Sequence, residues 1–122
     1  MAYGSLAIDT LNASTGVLAT QNGMTGIAKA WVNFNGSGGV ASVTSFNVSS
    51  VTRASTGLYT VNFTTAMPDA NYVITGYSTS GSNTFISASS AQAKTTSAFA
   101  FYSLNAVGPV DGNPVAVAVF GN

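Results

Sequence analysis

A chain of 122 residues with three acidic and three basic side chains, no histidine and no cysteine lacks most of the groups that proton transfer, thiolate attack and metal binding use. Its formal net charge is zero and Lys29, Arg53 and Lys94 stand far apart, so the clustered cations that nucleic-acid phosphates require are missing. No apolar run reaches the roughly eighteen residues of a spanning helix, so membrane insertion is not expected either.

Residues 1–26 are small, polar and punctuated by glycine, with one alternating run at 6–11 that reads as a short strand. No basic region followed by an apolar stretch opens the chain, so no secretory signal is expected. This stretch reads as an N-terminal arm, either a loose terminus or an extended segment that docks on a neighbouring subunit.

From Ile27 onward the pattern has a period of two, and turn residues arrive at short, regular intervals. Residues 28–34 place Ala28, Ala30, Val32 and Phe34 on one face and Lys29, Trp31 and Asn33 on the other. Asn35, Gly36, Ser37, Gly38 and Gly39 then break the run, because Asn and Gly accept positive φ at low cost. Residues 43–52 and 58–65 read as two strands of a β-hairpin around Ala54-Ser55-Thr56-Gly57, with Gly57 in the left-handed position.

Met67-Pro68-Asp69 is a turn in which Pro68 suits the first corner and Asp69 can bond back to the backbone. Strands are expected at 72–77, 85–88, 98–104 and 115–120, with a polar tip at 78–83 and a last loop marked by Gly108, Pro109, Gly112, Asn113 and Pro114. No helical period persists. About eight short strands with these turn signals predict an all-β fold, an antiparallel β-sandwich of jelly-roll-like form over residues 27–122.

The last strand is apolar on both faces, with Val115, Val117 and Val119 against Ala116, Ala118 and Phe120. A sandwich strand normally shows one face to water, so this one is either central or covered by another chain. Small alanines permit close approach, which makes Ala116, Ala118 and Phe120 candidate subunit-interface residues.

Candidate chemistry is sparse. Asp9, Asp69 and Asp111 are too scattered for a paired-carboxylate site, and no run of alternating oxygen ligands suggests calcium. The glycines at 36–39 lack the Lys-Ser/Thr tail of a phosphate loop and precede a strand. No metal, cofactor or catalytic residue is expected. Asn12, Asn35, Asn47 and Asn62 begin Asn-X-Ser/Thr triplets, a frequency that chance produces in a chain so rich in Ser and Thr. Trp31, Tyr72, Tyr77, Phe85 and Tyr102 read in two ways: most fill the core, or some stack on sugar rings beside Asn and Ser donors. Tyr77, next to the polar tip, and Asn83 within it are the candidate carbohydrate contacts.

Three segments carry a resemblance: AKAWVNFNG at 28–36, NFTTAMPDANY at 62–72 and VAVAVFGN at 115–122, with FNVSSVTR at 46–53 joining the first two. In this order they resemble a β-rich module of bacteriophage tail fibres and other phage virion proteins. The resemblance implies a non-enzymatic structural protein at the virion surface, a homotrimer whose loops touch the host surface and its glycans. The loops at 35–39, 78–83 and 108–113 are the expected tips. Fibre proteins carry a long shaft before such a module, whereas about 26 residues precede it here. The expectation is therefore a small fibre tip, or a knob or capsid decoration protein, joined to other virion proteins through residues 1–26. The alternative from the residues themselves is a free carbohydrate-binding, lectin-like module.

Overall fold

A computed structural model describes residues 26–90 and 92–121. They form eight strands: β1 (Ala30–Asn35), β2 (Ala41–Phe46), β3 (Val48–Ser55), β4 (Leu58–Phe63), β5 (Val73–Ser78), β6 (Phe85–Ala88), β7 (Ala98–Leu104) and β8 (Val115–Phe120). All pairings are antiparallel. The first sheet has the order β2-β1-β8-β5 and the second the order β3-β4-β7-β6, and the two pack as a sandwich. The antiparallel β-sandwich expected from the turn spacing is the fold found. The arm and the strand at 6–11 fall outside the described residues, Gly26 excepted.

Alternation explains which side chains meet inside. In β1, Ala30, Val32 and Phe34 point inward, and in β8 Val115, Val117 and Val119 join them. The second sheet answers with Tyr59, Val61 and Phe63 from β4 and Phe99 and Phe101 from β7. Ring contacts run the length of the core, from Phe34 through Tyr59, Phe101, Phe99 and Phe63 to Tyr72, with successive centroids 4.9 to 6.0 Å apart. Edge-on and tilted geometries suit the ring quadrupoles. Tyr72 closes one end with its hydroxyl, whose one proton is within reach of the Thr95 and Ala98 carbonyls at 2.8 and 3.0 Å. Near the other end, the buried Ser78 and Ser103 hydroxyls pair at 2.6 Å.

Two corrections concern the elements. Residues 43–52 are not one strand. They are split at Asn47, where φ is 54°, so β2 stays in the first sheet and β3 begins the second. The Asn47 amide donates to the Lys29 and Thr65 carbonyls at 3.1 Å each, and its oxygen accepts the Thr65 N–H at 2.7 Å. Hence eight strands are present without the one expected at 6–11. The second correction concerns the aromatics: of Trp31, Tyr72, Tyr77, Phe85 and Tyr102, only Tyr72 lies in the core. The other four project from outer sheet faces, because each stands out of phase with the buried alternation of its strand.

Elsewhere the expected turns hold. Thr56 and Gly57 form the two-residue tip of the β3–β4 hairpin, with Gly57 at φ 69°. Asp69 accepts the Asn71 N–H at 2.7 Å, the local bond that follows naturally from its place after Pro68.

Candidate functional site

The outer face of the first sheet gathers the side chains that the core leaves out. Cross-strand register sets them in rows. Phe46, Trp31, Ala118 and Thr75 lie opposite one another across β2, β1, β8 and β5; Thr44, Asn33, Ala116 and Tyr77 form the next row; Phe120 and Val73 begin a third. Trp31 is 39% exposed, Phe46 55%, Val73 62% and Tyr77 52%, a concentration of bare apolar surface that a free soluble sheet rarely shows.

Between β1 and β5 this face is shallowly concave and open to one side. Trp31 and Asn33 form one wall and Thr75 and Tyr77 the other, while Ala116 and Ala118 of the central strand make the floor of a trough of about 370 Å³. The small floor depends on Gly76 as well. A Cβ there would overlap the Ala116 carbonyl oxygen, so only glycine lets β5 lie so close to β8. No charged side chain lines the trough.

Its polar groups are uncommitted. The Trp31 indole N–H, the Asn33 amide, the Thr75 hydroxyl and the Tyr77 hydroxyl have no hydrogen-bond partner among the described residues. On the outer face of the second sheet two such groups are paired, the Thr60 hydroxyl donating to Gln92 Oε1 and the Asn62 amide to Ser50 Oγ, both at 3.0 Å.

A second constellation ties the loop end of the sandwich together. Asp111 accepts from Arg53 Nε and Nη2 at 2.9 and 2.8 Å, from the Gly57 N–H at 2.9 Å and from the Tyr59 hydroxyl at 2.8 Å. Tyr59 has one hydroxyl proton, and its shorter bond goes to Asp111 rather than to the Gly36 carbonyl at 3.2 Å. The Arg53 guanidinium, helped by the Gly57 and Tyr59 donors, holds the Asp111 carboxyl down to about 2. Burial, then the bond to Asp111, drives the Tyr59 phenol far above its usual range. The oxygens of this carboxylate are occupied and its proton affinity is low. It is a clasp, not a general acid or base.

Loops expected to be separate tips meet at this end. The Gly36 N–H donates to the Gly112 carbonyl at 2.8 Å and the Asn113 N–H to the Thr79 carbonyl at 2.6 Å. Gly112 is buried and Asp111 is engaged, so the 108–113 loop is only partly a free tip.

Tyr77 lines the trough and Asn83 does not. Asn83, at φ 57°, is exposed in the connection that leaves the first sheet and enters β6 of the second, and it does not line the trough. Tyr77 instead shares its surface with Ala116 and Ala118, while Phe120 sits one row away beside Val73. Tyr77, nominated for sugar contact, thus shares one face with Ala116, Ala118 and Phe120, nominated for subunit contact. Sequence reasoning missed Trp31 as the partner of Tyr77 across the trough, although its position opposite Ala30 and Val32 in the alternation pointed outward. Arg53 and Asp111 carried no local signal, being joined across 58 positions.

Lys94 donates to the Tyr72 carbonyl at 2.7 Å and stands 5.0 Å above the Tyr72 ring, a structural role. Among the described residues no three acidic side chains cluster in a way that could hold a metal ion. The chain matches no protein-family model, no curated protein and no solved structure.

Proposed function

We propose that the protein is a non-enzymatic structural component of a phage virion, displayed on the particle surface as a homotrimeric tail-fibre tip or as a knob or capsid decoration protein. It acts by assembly and by contact with the host surface. The observation that carries this reading is the outer face of the first sheet, a broad surface of half-exposed aromatics on a rigid strand body. Such a face is made for contact. The charged residues support it from the other side. Asp111 and Arg53 neutralise each other, and Asp69 is spent on a turn, so the described residues offer no carboxylate pair for hydrolysis.

Two measurements test the proposal. Labelled copies imaged on purified particles are expected on head or tail, and a chain lacking residues 1–26 is expected to fold but fail to join the particle. Normal incorporation of the truncated chain rejects the role given to the arm, and absence of label from particles rejects the virion reading itself. The second reading, a free lectin-like module, is favoured by the aromatic walls of the trough. It predicts sugar binding with no particle to which the protein belongs.

A further inference from the structure

We propose that the trough between Trp31 and Tyr77 is a binding site for the ring of a neutral sugar. The inference does not rest on the virion reading, because a free module would use the same site.

Shape is the first ground. The walls stand on β1 and β5, two strand spacings apart, which is about 10 Å between backbones. The volume of about 370 Å³ falls at the small end of ligand sites, and the alanine floor raises nothing between the walls. A single ring fits that space better than an extended chain segment.

Chemistry is the second ground. A pyranose presents patches of C–H on its faces and hydroxyls around its rim. Trp31 and Tyr77 offer aromatic surface to the first, and the alanine methyls of Ala116 and Ala118 continue it. The rim meets groups of both senses: the Trp31 N–H donates, the Asn33 amide donates and accepts, and the Thr75 and Tyr77 hydroxyls do either. All four lack partners among the described residues. A sugar hydroxyl, itself donor and acceptor, satisfies such a set.

Charge selects within the class. With no cation on the trough, an acidic sugar would lose hydration without gaining a counter-charge, so a neutral hexose or N-acetylhexosamine is favoured. A second copy of the chain, which presents the same groups on its own outer face, is the rival occupant that the test below distinguishes.

The test uses the full chain and methyl glycosides of glucose, galactose, mannose and N-acetylglucosamine, with methyl glucuronide as the acidic comparator. Saturation-transfer NMR followed by titration is expected to find at least one neutral glycoside that binds saturably and at least tenfold more tightly than the glucuronide. Trp31→Ala and Tyr77→Ala should each weaken it tenfold or more, and Phe85→Ala, on the other sheet, should not. Ala118→Leu fills the floor without removing a polar group and should abolish binding while circular dichroism stays unchanged. Absence of binding by all four neutral probes overturns the proposal. So does binding that survives Trp31→Ala and Tyr77→Ala, or a preference for the glucuronide. A multimer that Trp31→Ala dissociates, with no sugar bound, assigns the face to a second copy instead. None of these outcomes bears on placement in a particle, which imaging decides.

Discussion

Asp111 is the residue on which the loop end depends. Its carboxylate collects four donors from three residues of the β3–β4 hairpin, and the Arg53 fork fixes its orientation. In Asp111→Ala the Gly57 N–H and the buried Tyr59 hydroxyl lose their acceptor, at a cost of about 1–3 kcal/mol. A lower urea midpoint with unchanged slope is the expected readout. The pH dependence follows from linkage. An unfolded Asp titrates near about 3.9, and the folded value lies lower, at about 2, so below neutrality the unfolded chain takes up the proton first. The contribution of Asp111 is therefore complete above about pH 5 and is lost as pH falls through 4 toward 2. Thermal unfolding of the native chain should show this acid loss, and Asp111→Asn should flatten it. Equal slopes in the two proteins would refute the clasp as its source.

Among the elements, the passage from β2 to β3 and the contact of β5 with β8 are the most constrained. Asn47 crosses between the sheets at positive φ, a conformation that Asn tolerates better than most residues, and its side chain satisfies two carbonyls and one N–H. Asn47→Ala combines backbone strain with three lost bonds and should destabilise by about 2–4 kcal/mol. Asn47→Gly removes the bonds but not the allowed φ, and should fall between the two when both are compared by denaturant unfolding. Gly76→Val tests the second place. Its side chain would meet the Ala116 carbonyl, so β5 must move off β8, and the trough with it. Stability and trough geometry should suffer together, visible as lost tryptophan fluorescence shift from Trp31 and a lower unfolding midpoint. A well-folded Gly76→Val protein with native fluorescence would contradict this packing.

For the molecule as a whole, the low charge and the bare first sheet fit the assembly proposed above. Neutral surfaces lack the mutual repulsion that keeps concentrated monomers apart. Light scattering of the full chain is expected to give the mass of three chains. If the trough takes a sugar, it remains open in that trimer, and Ala118→Glu should leave the mass at three chains. Collapse to one chain would place the copy-to-copy contact on Ala116, Ala118 and Phe120.

Alternation and turn chemistry made much of this fold legible in advance. Ala30, Val32 and Phe34 could be placed inward, the hairpin at Gly57 located and the turn at Pro68 anticipated, because strand period and positive-φ preference act over a few neighbouring residues. Asn47 escaped notice since a single Asn inside an alternating run does not disturb the period, although its tolerance of positive φ was the available signal. Inward and outward aromatics look alike in composition, and only register against β8 and β5 shows that Trp31 and Tyr77 stand on two sides of the same alanines. The Arg53–Asp111 clasp is equally invisible along the chain, since its members meet across 58 positions. Composition and periodicity by themselves determined a strand-built, weakly charged body, for these are local properties of the residues. Which side chains share a face, and therefore what the protein can hold, was decided only when distant strands were laid side by side.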